Sequence, residues 1–328
     1  MKLAFFDTKP HDIESFESRL KEANIDVKFF DTHLNEDTVQ LANGFDAVCI
    51  FVNDIVNSVV AEKLCDYGIK IVLLRCAGHN NVDIQACKGK LQVFRVPAYS
   101  PYAVAEHAMA LLLTINRRTH KAYIRTRDFN FSLKDMCGFD LRGKTVGIIG
   151  TGKIGKVFAE ICTGFGMNVL GYDKFPSEHP NIKYVTLEQL FKESDIVSLH
   201  CPLTFDTYHM INAMAINTMK QGVVILNTSR GGLIDTDALI EGLLARKVGA
   251  ACLDVYEEEA DVFFEDRSGH ILEDEKLVRL IAMPNVLVTS HQAFLTKEAL
   301  DNIAATTIDN IQKFYNGIPN DYTEVKVN

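Results

Sequence analysis

The sequence predicts an α/β protein made of two doubly wound parallel-sheet domains. Three observations lead there. Short apolar runs of strand length alternate with amphipathic helical stretches over most of the chain. The runs are nearly continuous in apolar residues, as strands are when helices cover both faces of a parallel sheet. The alternation also stops once and restarts, and 328 residues suit about two domains.

In the first series the strand candidates are "KLAFFD", "DVKFF", "AVCIFV", "IKIVLL" and "QVFRV", with "HDIESFESRLKEA" and "SVVAEKLCDYG" as helices between some of them. At "PAYSP", from Pro97 to Pro101, the pattern breaks. One long helix follows, "YAVAEHAMALLLTINRRTHKAYIRTRD". A fresh strand then starts at "KTVGIIG" and leads through "NVLGYD", "DIVSLH", "VVILNT", "AACLDV" and "NVLVTS". The acidic stretch from Tyr256 to Lys276 reads as a solvated insertion with a helical turn. The last helix, "TKEALDNIAATTIDNIQKFYNG", follows the second series and can cap that domain or return to the first. No internal repeat and no low-complexity tract is visible.

Composition narrows the function. A net charge of −9 argues against nucleic acid or an anionic membrane as the main partner. No apolar segment reaches the roughly 20 residues needed to span a bilayer. The opening apolar run ends in an acid too soon for a secretory leader. Eight cysteines lie in no C-x-x-C pair and several sit in apolar runs, which fits reduced thiols in a cytoplasm. The histidines lack metal-ligand spacing with cysteines or acids, so no metal is expected.

"GIIGTGKIG" places Gly150, Gly152 and Gly155 in G-x-G-x-x-G spacing, after a strand and before the helical "KVFAEICTGFG". In that setting the first glycine makes the tight turn, the second admits a pyrophosphate and the third lets helix pack on strand. The helix N-terminus then faces the phosphates. Asp173 ends the next strand and can accept hydrogen bonds from a ribose diol while repelling a 2′-phosphate, so the expected cofactor is NAD. Lys174 beside it weakens that discrimination.

Ligands in open α/β sheets bind beyond the carboxyl ends of the strands. Arg230, Glu259 and His291 each follow a different strand of the second series, so all three can reach one crevice. A guanidinium grips a carboxylate with two parallel bonds. A histidine can protonate a carbonyl oxygen, and a neighbouring carboxylate supports the imidazolium it needs. Taken singly, each residue has a plainer reading as a salt-bridge partner, a solvated acid or a hydrogen-bonded strand-end histidine. The set, beside a phosphate loop, points to reduction of a 2-oxo acid.

At these residues the chain resembles the D-isomer-specific 2-hydroxyacid dehydrogenases, and among them the fermentative D-lactate dehydrogenases of bacteria. The likeness runs through "RCAGHNNVD", "VPAYSPYAVAEHA", "GKTVGIIGTGKIG", "SLHCPLT", "NTSRGGLID", "LDVYEEE" and "HQAFLT", essentially the whole chain. It implies a substrate-binding arginine at Arg230, a catalytic glutamate at Glu259 rather than Glu257 or Glu258, and an acid/base histidine at His291. Cofactor contacts are implied at Lys153, Ile154, Asp173, Cys201, Pro202, Thr207, Thr228, Ser229, Arg230 and Asp254. Ala77, Gly78 and Tyr99 are implied near the substrate. Phe51 and Phe294 would wall in a small methyl group, which favours pyruvate over bulkier 2-oxo acids. The resemblance also implies a discontinuous substrate-binding domain, 1–99 plus 296–328, an NAD-binding domain, 100–295, an active site in the cleft between them, and a homodimer or homotetramer. A dinucleotide-sensing regulator on the same fold is the alternative from another class.

Overall fold

The computed structural model describes residues 1–259 and 262–326. Two compact units form, Met1–Ser100 with Phe294–Asn328, and Pro101–Ala293. Among the described residues no helix is long and apolar enough to cross a membrane.

The first unit holds β1 (Lys2–Phe5), β2 (Asp26–Phe29), β3 (Ala47–Ile50), β4 (Ile71–Leu74) and β5 (Gln92–Phe94). They form one parallel sheet in the order β2-β1-β3-β4-β5, which reverses direction between β1 and β3. β3 and β4 are buried throughout, as their unbroken apolar runs require. The helix Lys297–Tyr315 belongs here. Thr296 caps it by accepting the Ala299 N–H, and Ile303, Ala304, Ile308 and Ile311 join Leu3, Phe5, Phe16 and Ile71 in the core. Beyond it, Val325 N donates to Val93 O at 2.8 Å, and Arg95 N donates to Thr323 O at 2.9 Å. The tail thereby covers the edge strand β5, whose open hydrogen-bonding groups would otherwise face solvent.

The second unit holds β6 (Thr145–Ile149), β7 (Asn168–Tyr172), β8 (Lys183–Tyr184), β9 (Ile196–Leu199), β10 (Val223–Asn227), β11 (Val248–Leu253) and β12 (Val286–Val288). Their order is β12-β11-β10-β9-β6-β7-β8, parallel at every pairing, with the reversal between β6 and β9. Ile149 is in register with Tyr172 on one side and Leu199 on the other, so three strands end together beside Gly150.

Two local expectations differ from what forms. The single helix expected after Pro101 is two, Pro101–Arg117 and Thr119–Arg127, because Arg118 adopts the left-handed conformation (φ +52°). The first buries Leu112 and Ile115; the second buries nothing, so no core contact keeps it in line with the first. The acidic stretch 256–276 is not simply solvated. Phe263 is buried in the main core of this unit, with Val262, Phe264 and Leu272 packed against it. Ala260 and Asp261 of that stretch lie outside the described residues.

Candidate functional site

The phosphate loop is shaped by what its glycines avoid. Gly150 sits at φ +91°, and a Cβ there would run into the backbone of His200 and Cys201. At Gly155 a side chain would strike the Gly150 carbonyl. Gly152, the N-cap of helix Lys153–Gly164, faces open space. The first amides of that helix, at Lys153 and Ile154, have no intrahelical acceptor and present a positive dipole end. This is the cradle that a dinucleotide pyrophosphate requires.

Asp173 follows β7 and is pinned from both oxygens. Oδ2 accepts from Thr151 N at 2.6 Å and Thr151 Oγ1 at 3.2 Å; Oδ1 accepts from Phe175 N at 2.9 Å. Oδ2 already accepts two bonds, while Oδ1, with one, keeps accepting capacity for a diol. Lys174 turns away to Asp206, 3.0 Å distant on the surface. Cys201 is buried, which pushes its thiol up to about 11 and leaves it protonated. It offers its carbonyl instead, which accepts from Ser229 Oγ at 2.7 Å. Pro202 O accepts from Thr207 Oγ1 at 2.8 Å, closing the turn after β9.

β10 delivers Thr228, Ser229 and Arg230. Asn227, buried at the strand end, receives the Ser229 N–H at 3.0 Å and donates to Arg230 O at 2.9 Å. The Thr228 hydroxyl is buried without a hydrogen-bond partner among the described residues. The Arg230 guanidinium donates from Nη1 to its neighbour's carbonyl, Ser229 O, at 2.6 Å. Among the described residues no carboxylate lies within ion-pair distance of it. A half-buried arginine without an acid has its fork open to an anion.

The loops after β11 and β12 bring an acid and a histidine together. His291 Nδ1 lies 2.9 Å from Glu259 Oε1, and Glu259 Oε2 accepts from Tyr256 N at 3.0 Å. Both residues are half-buried, and Phe264 stands 5.8 Å from the imidazole, centroid to centroid. With Nδ1 occupied, Nε2 is the nitrogen left to meet a substrate. His291 is held at φ +52°, a strained conformation costing of order 1–3 kcal/mol. Asp254 imposes it. Its carbonyl accepts from His291 N at 2.7 Å, and its carboxylate accepts from Thr289 Oγ1, Gln292 N and Ala293 N at 2.5, 3.0 and 2.9 Å. His107 Nε2 adds a contact at 3.3 Å. Burial opposes the charge on Asp254. The bonds from His107, Thr289 and Ala293 outweigh that burial and hold the carboxyl below the usual carboxylate value.

The three consecutive glutamates have three fates. Glu259 meets His291, Glu258 is exposed, and Glu257 turns to His209 and Thr236.

In the first unit, Phe51, Tyr99 and Phe294 form one aromatic cluster. Phe294 stands 6.0 Å from Phe51 and 6.2 Å from Tyr99. The buried Arg75 lies over Phe51 at 4.7 Å and over Phe5 at 4.6 Å, so a planar cation is sandwiched between two rings. The loop after β4 carries Ala77, whose carbonyl accepts from Arg95 Nη1 at 2.9 Å, and Gly78, whose carbonyl accepts from the Cys76 thiol at 3.2 Å. The peptides that carry the Gly78 and His79 N–H groups are thereby held in place. His79 on the same loop is kept below its usual value by burial and by the charge of Arg95.

Residues 109–293 match the D-isomer specific 2-hydroxyacid dehydrogenase NAD binding domain. The D-lactate dehydrogenase of Escherichia coli K12 is 50% identical over 321 residues, 97% of this chain and 98% of that one. The chain belongs to the D-isomer specific 2-hydroxyacid dehydrogenases. A 2-hydroxyacid dehydrogenase homolog of Haemophilus influenzae is 52% identical, with 97% of each chain covered. A solved structure from the identification of the pyruvate reductase of Chlamydomonas reinhardtii matches at a TM-score of 0.93 and 42% identity, covering 97% of both chains. This is therefore an NAD-dependent dehydrogenase with a 2-hydroxy or 2-oxo acid as substrate, and the glycine loop with Asp173 is a fitting seat for NAD.

Residues supporting this dehydrogenase site were not singled out from the sequence. Asn227, Thr151, Tyr256 and Thr289 bind site residues through short hydrogen bonds. Only Asn227 carried a signal, as an amide ending an otherwise apolar strand. His107, on the helix Pro101–Arg117, holds Asp254 as well.

Proposed function

We propose that the protein reduces pyruvate to D-lactate, with Arg230, Glu259 and His291 as the groups that bind and protonate the substrate. The observation that carries this reading is the His291–Glu259 contact of 2.9 Å, which spends Nδ1 and leaves Nε2 for the carbonyl oxygen. NADH, when bound, supplies the hydride. Arg230 grips the substrate carboxylate through its uncommitted guanidinium nitrogens. His291 gives its Nε2 proton to the developing alkoxide. Glu259, steadied by the Tyr256 N–H, stabilises the imidazolium before that transfer. Asp254 fixes the His291 backbone, so the ring meets the substrate in one orientation.

Self-association supports itself on a different observation. Tyr123, Phe129, Phe131 and Leu133 are 63%, 84%, 71% and 85% exposed, an apolar run that a monomer would leave in water. A homodimer or homotetramer is the reading this favours, and sedimentation equilibrium reads its order.

The test of the activity follows NADH consumption with pyruvate for the wild type and His291→Gln, and NAD reduction with each lactate enantiomer. Wild-type turnover of pyruvate, oxidation of the D form only, and a loss of roughly 10²–10⁴ in the variant are expected. Turnover of a bulkier 2-oxo acid in place of pyruvate would move the substrate assignment and keep the acid/base one. An unimpaired His291→Gln enzyme would remove His291 from the chemistry.

A further inference from the structure

We infer that Glu257 is a positioning residue that locks the arginine loop onto the acid loop. The inference rests on the reading in which Arg230 binds the substrate carboxylate and Glu259 serves His291.

Three segments meet at this side chain. Glu257 Oε1 lies 2.5 Å from His209 Nε2 and 3.5 Å from the Tyr208 hydroxyl; Oε2 accepts from Thr236 Oγ1 at 2.9 Å. His209 is held at φ +49°, its ring stacked on Tyr208 at 3.9 Å. Its amide donates to Gly232 O at 2.9 Å, and two residues on, Ile211 N donates to Leu233 O at 3.0 Å while Asp235 N returns a bond to Ile211 O at 3.0 Å. The backbone just after Arg230 is thus bound to the 209–211 segment. That segment is in turn bound to Glu257 through the imidazole, and Thr236 closes the ring from the far end of the same loop.

The packing admits no slack. A Cβ on Gly231, directly after Arg230, would overlap the carbonyl of Tyr256 and the amide of Glu257. The arginine loop therefore rests on the peptide that leads to Glu259, whose carboxylate also bonds the Tyr256 amide. One peptide plane, Tyr256–Glu257, carries the Arg230 loop on one side and orients Glu259 through its preceding amide. Releasing Glu257 frees the loop to lift from that plane, and Arg230 moves with it.

Nothing about Glu257 suits it to chemistry of its own. Each oxygen faces a donor fixed in place, and its histidine is spent on the same bond. It touches neither Arg230 nor His291, so its effect is on where they stand.

The experiment compares Glu257→Ala, Glu257→Gln and Thr236→Val with wild type in four readouts: kcat and KM for pyruvate, the Kd of NADH by fluorescence titration, thermal midpoint, and hydrogen exchange of the 229–236 amides in the NADH complex. Glu257→Ala should lose roughly 10- to 100-fold in kcat/KM, mostly as a raised pyruvate KM, as expected of a displacement near 1 Å. Its NADH Kd should stay within about threefold, and exchange over 229–236 should accelerate. Glu257→Gln keeps one carbonyl acceptor and should recover most of the loss. Thr236→Val, the milder cut, should shift exchange and KM the same way. The inference is overturned if folded Glu257→Ala or Thr236→Val keeps wild-type KM and exchange. It is also overturned if NADH affinity falls by the same factor as kcat/KM, since that marks general loosening. Wild type without activity on any 2-oxo acid would instead refute the activity reading; the exchange data would still judge the clamp.

Discussion

Glu259→Gln isolates the carboxylate from the shape of its side chain. In the wild type Oε1 faces His291 Nδ1 at 2.9 Å and Oε2 receives the Tyr256 N–H at 3.0 Å. A glutamine has one oxygen for these two sites. The Tyr256 amide is a fixed donor, so the oxygen stays there, and the NH2 group must face Nδ1. Nδ1 can then only accept, which is the neutral ring and not the imidazolium. The variant loses a charge-assisted hydrogen bond worth about 1.5–3 kcal/mol. At about 1.36 kcal/mol per factor of ten, kcat for pyruvate reduction should fall roughly 10- to 150-fold. The assay is steady-state NADH consumption at saturating cofactor, with NADH affinity measured separately and expected to hold. A kcat within about threefold of wild type would refute the reasoning, because the imidazolium would then not depend on this carboxylate.

Three further outcomes follow from the same geometry. Arg230→Lys keeps the charge but not the fork, and losing one charge-assisted bond of about 1.5–3 kcal/mol should raise the pyruvate KM roughly 10- to 150-fold; an unchanged KM would mean the guanidinium does not hold the carboxylate. Gly150→Ala forces a side chain at φ +91° into the backbone of Cys201, which should destabilise the second unit by at least about 2 kcal/mol and weaken NADH binding, read by denaturant titration and fluorescence. Asp254 has a lowered folded-state value, so the folded chain binds fewer protons than the unfolded one in acid. Its stabilisation is complete above the unfolded value of about 3.9 and drains as pH falls through the lower folded one. The stability gap between wild type and Asp254→Asn, from urea midpoints, should be widest at neutral pH and narrow below about pH 4; a gap independent of pH would show that the carboxylate charge contributes nothing.

Much of this architecture was legible because parallel strands buried on both faces must be apolar along their length. β3, β4, β9 and β10 announce themselves in this way. The glycine loop was legible for a different reason: its residues are dictated by backbone space, which one-dimensional spacing records. The break at Arg118 was not visible, since "RRTHKAYIRTR" has ordinary helix formers and only the end of core contact stops the first helix. Nor was the covering of β5 by the tail, because a two-residue strand contact leaves no periodic trace. The support for Asp254 was hidden too. His107 and Thr289 reach it from 147 and 35 residues away, and no local pattern encodes such a meeting.

The triplet Glu257–Glu259 shows where composition stops and geometry begins. Three identical acids on a strand-end turn are equivalent to any scale of charge or propensity. The turn after Asp254 separates them. Tyr256 is buried, which fixes the peptide on which Gly231 rests. From that peptide Glu257 projects toward the donors of the 209 and 236 segments, and Glu259 folds back to the Tyr256 amide and reaches His291. The buried tyrosine thus assigns the roles of the two acids, one to hold the arginine loop and one to hold the histidine. Each has a different histidine as partner, so removing one acid's contacts should disturb one loop and leave the other hydrogen-bonded. Under this reading the loss in Glu257→Ala plus Glu259→Gln should be the product of the single losses if the two supports are independent. A double variant no worse than Glu259→Gln alone would show that both acids act through one shared rearrangement of the Tyr256 peptide.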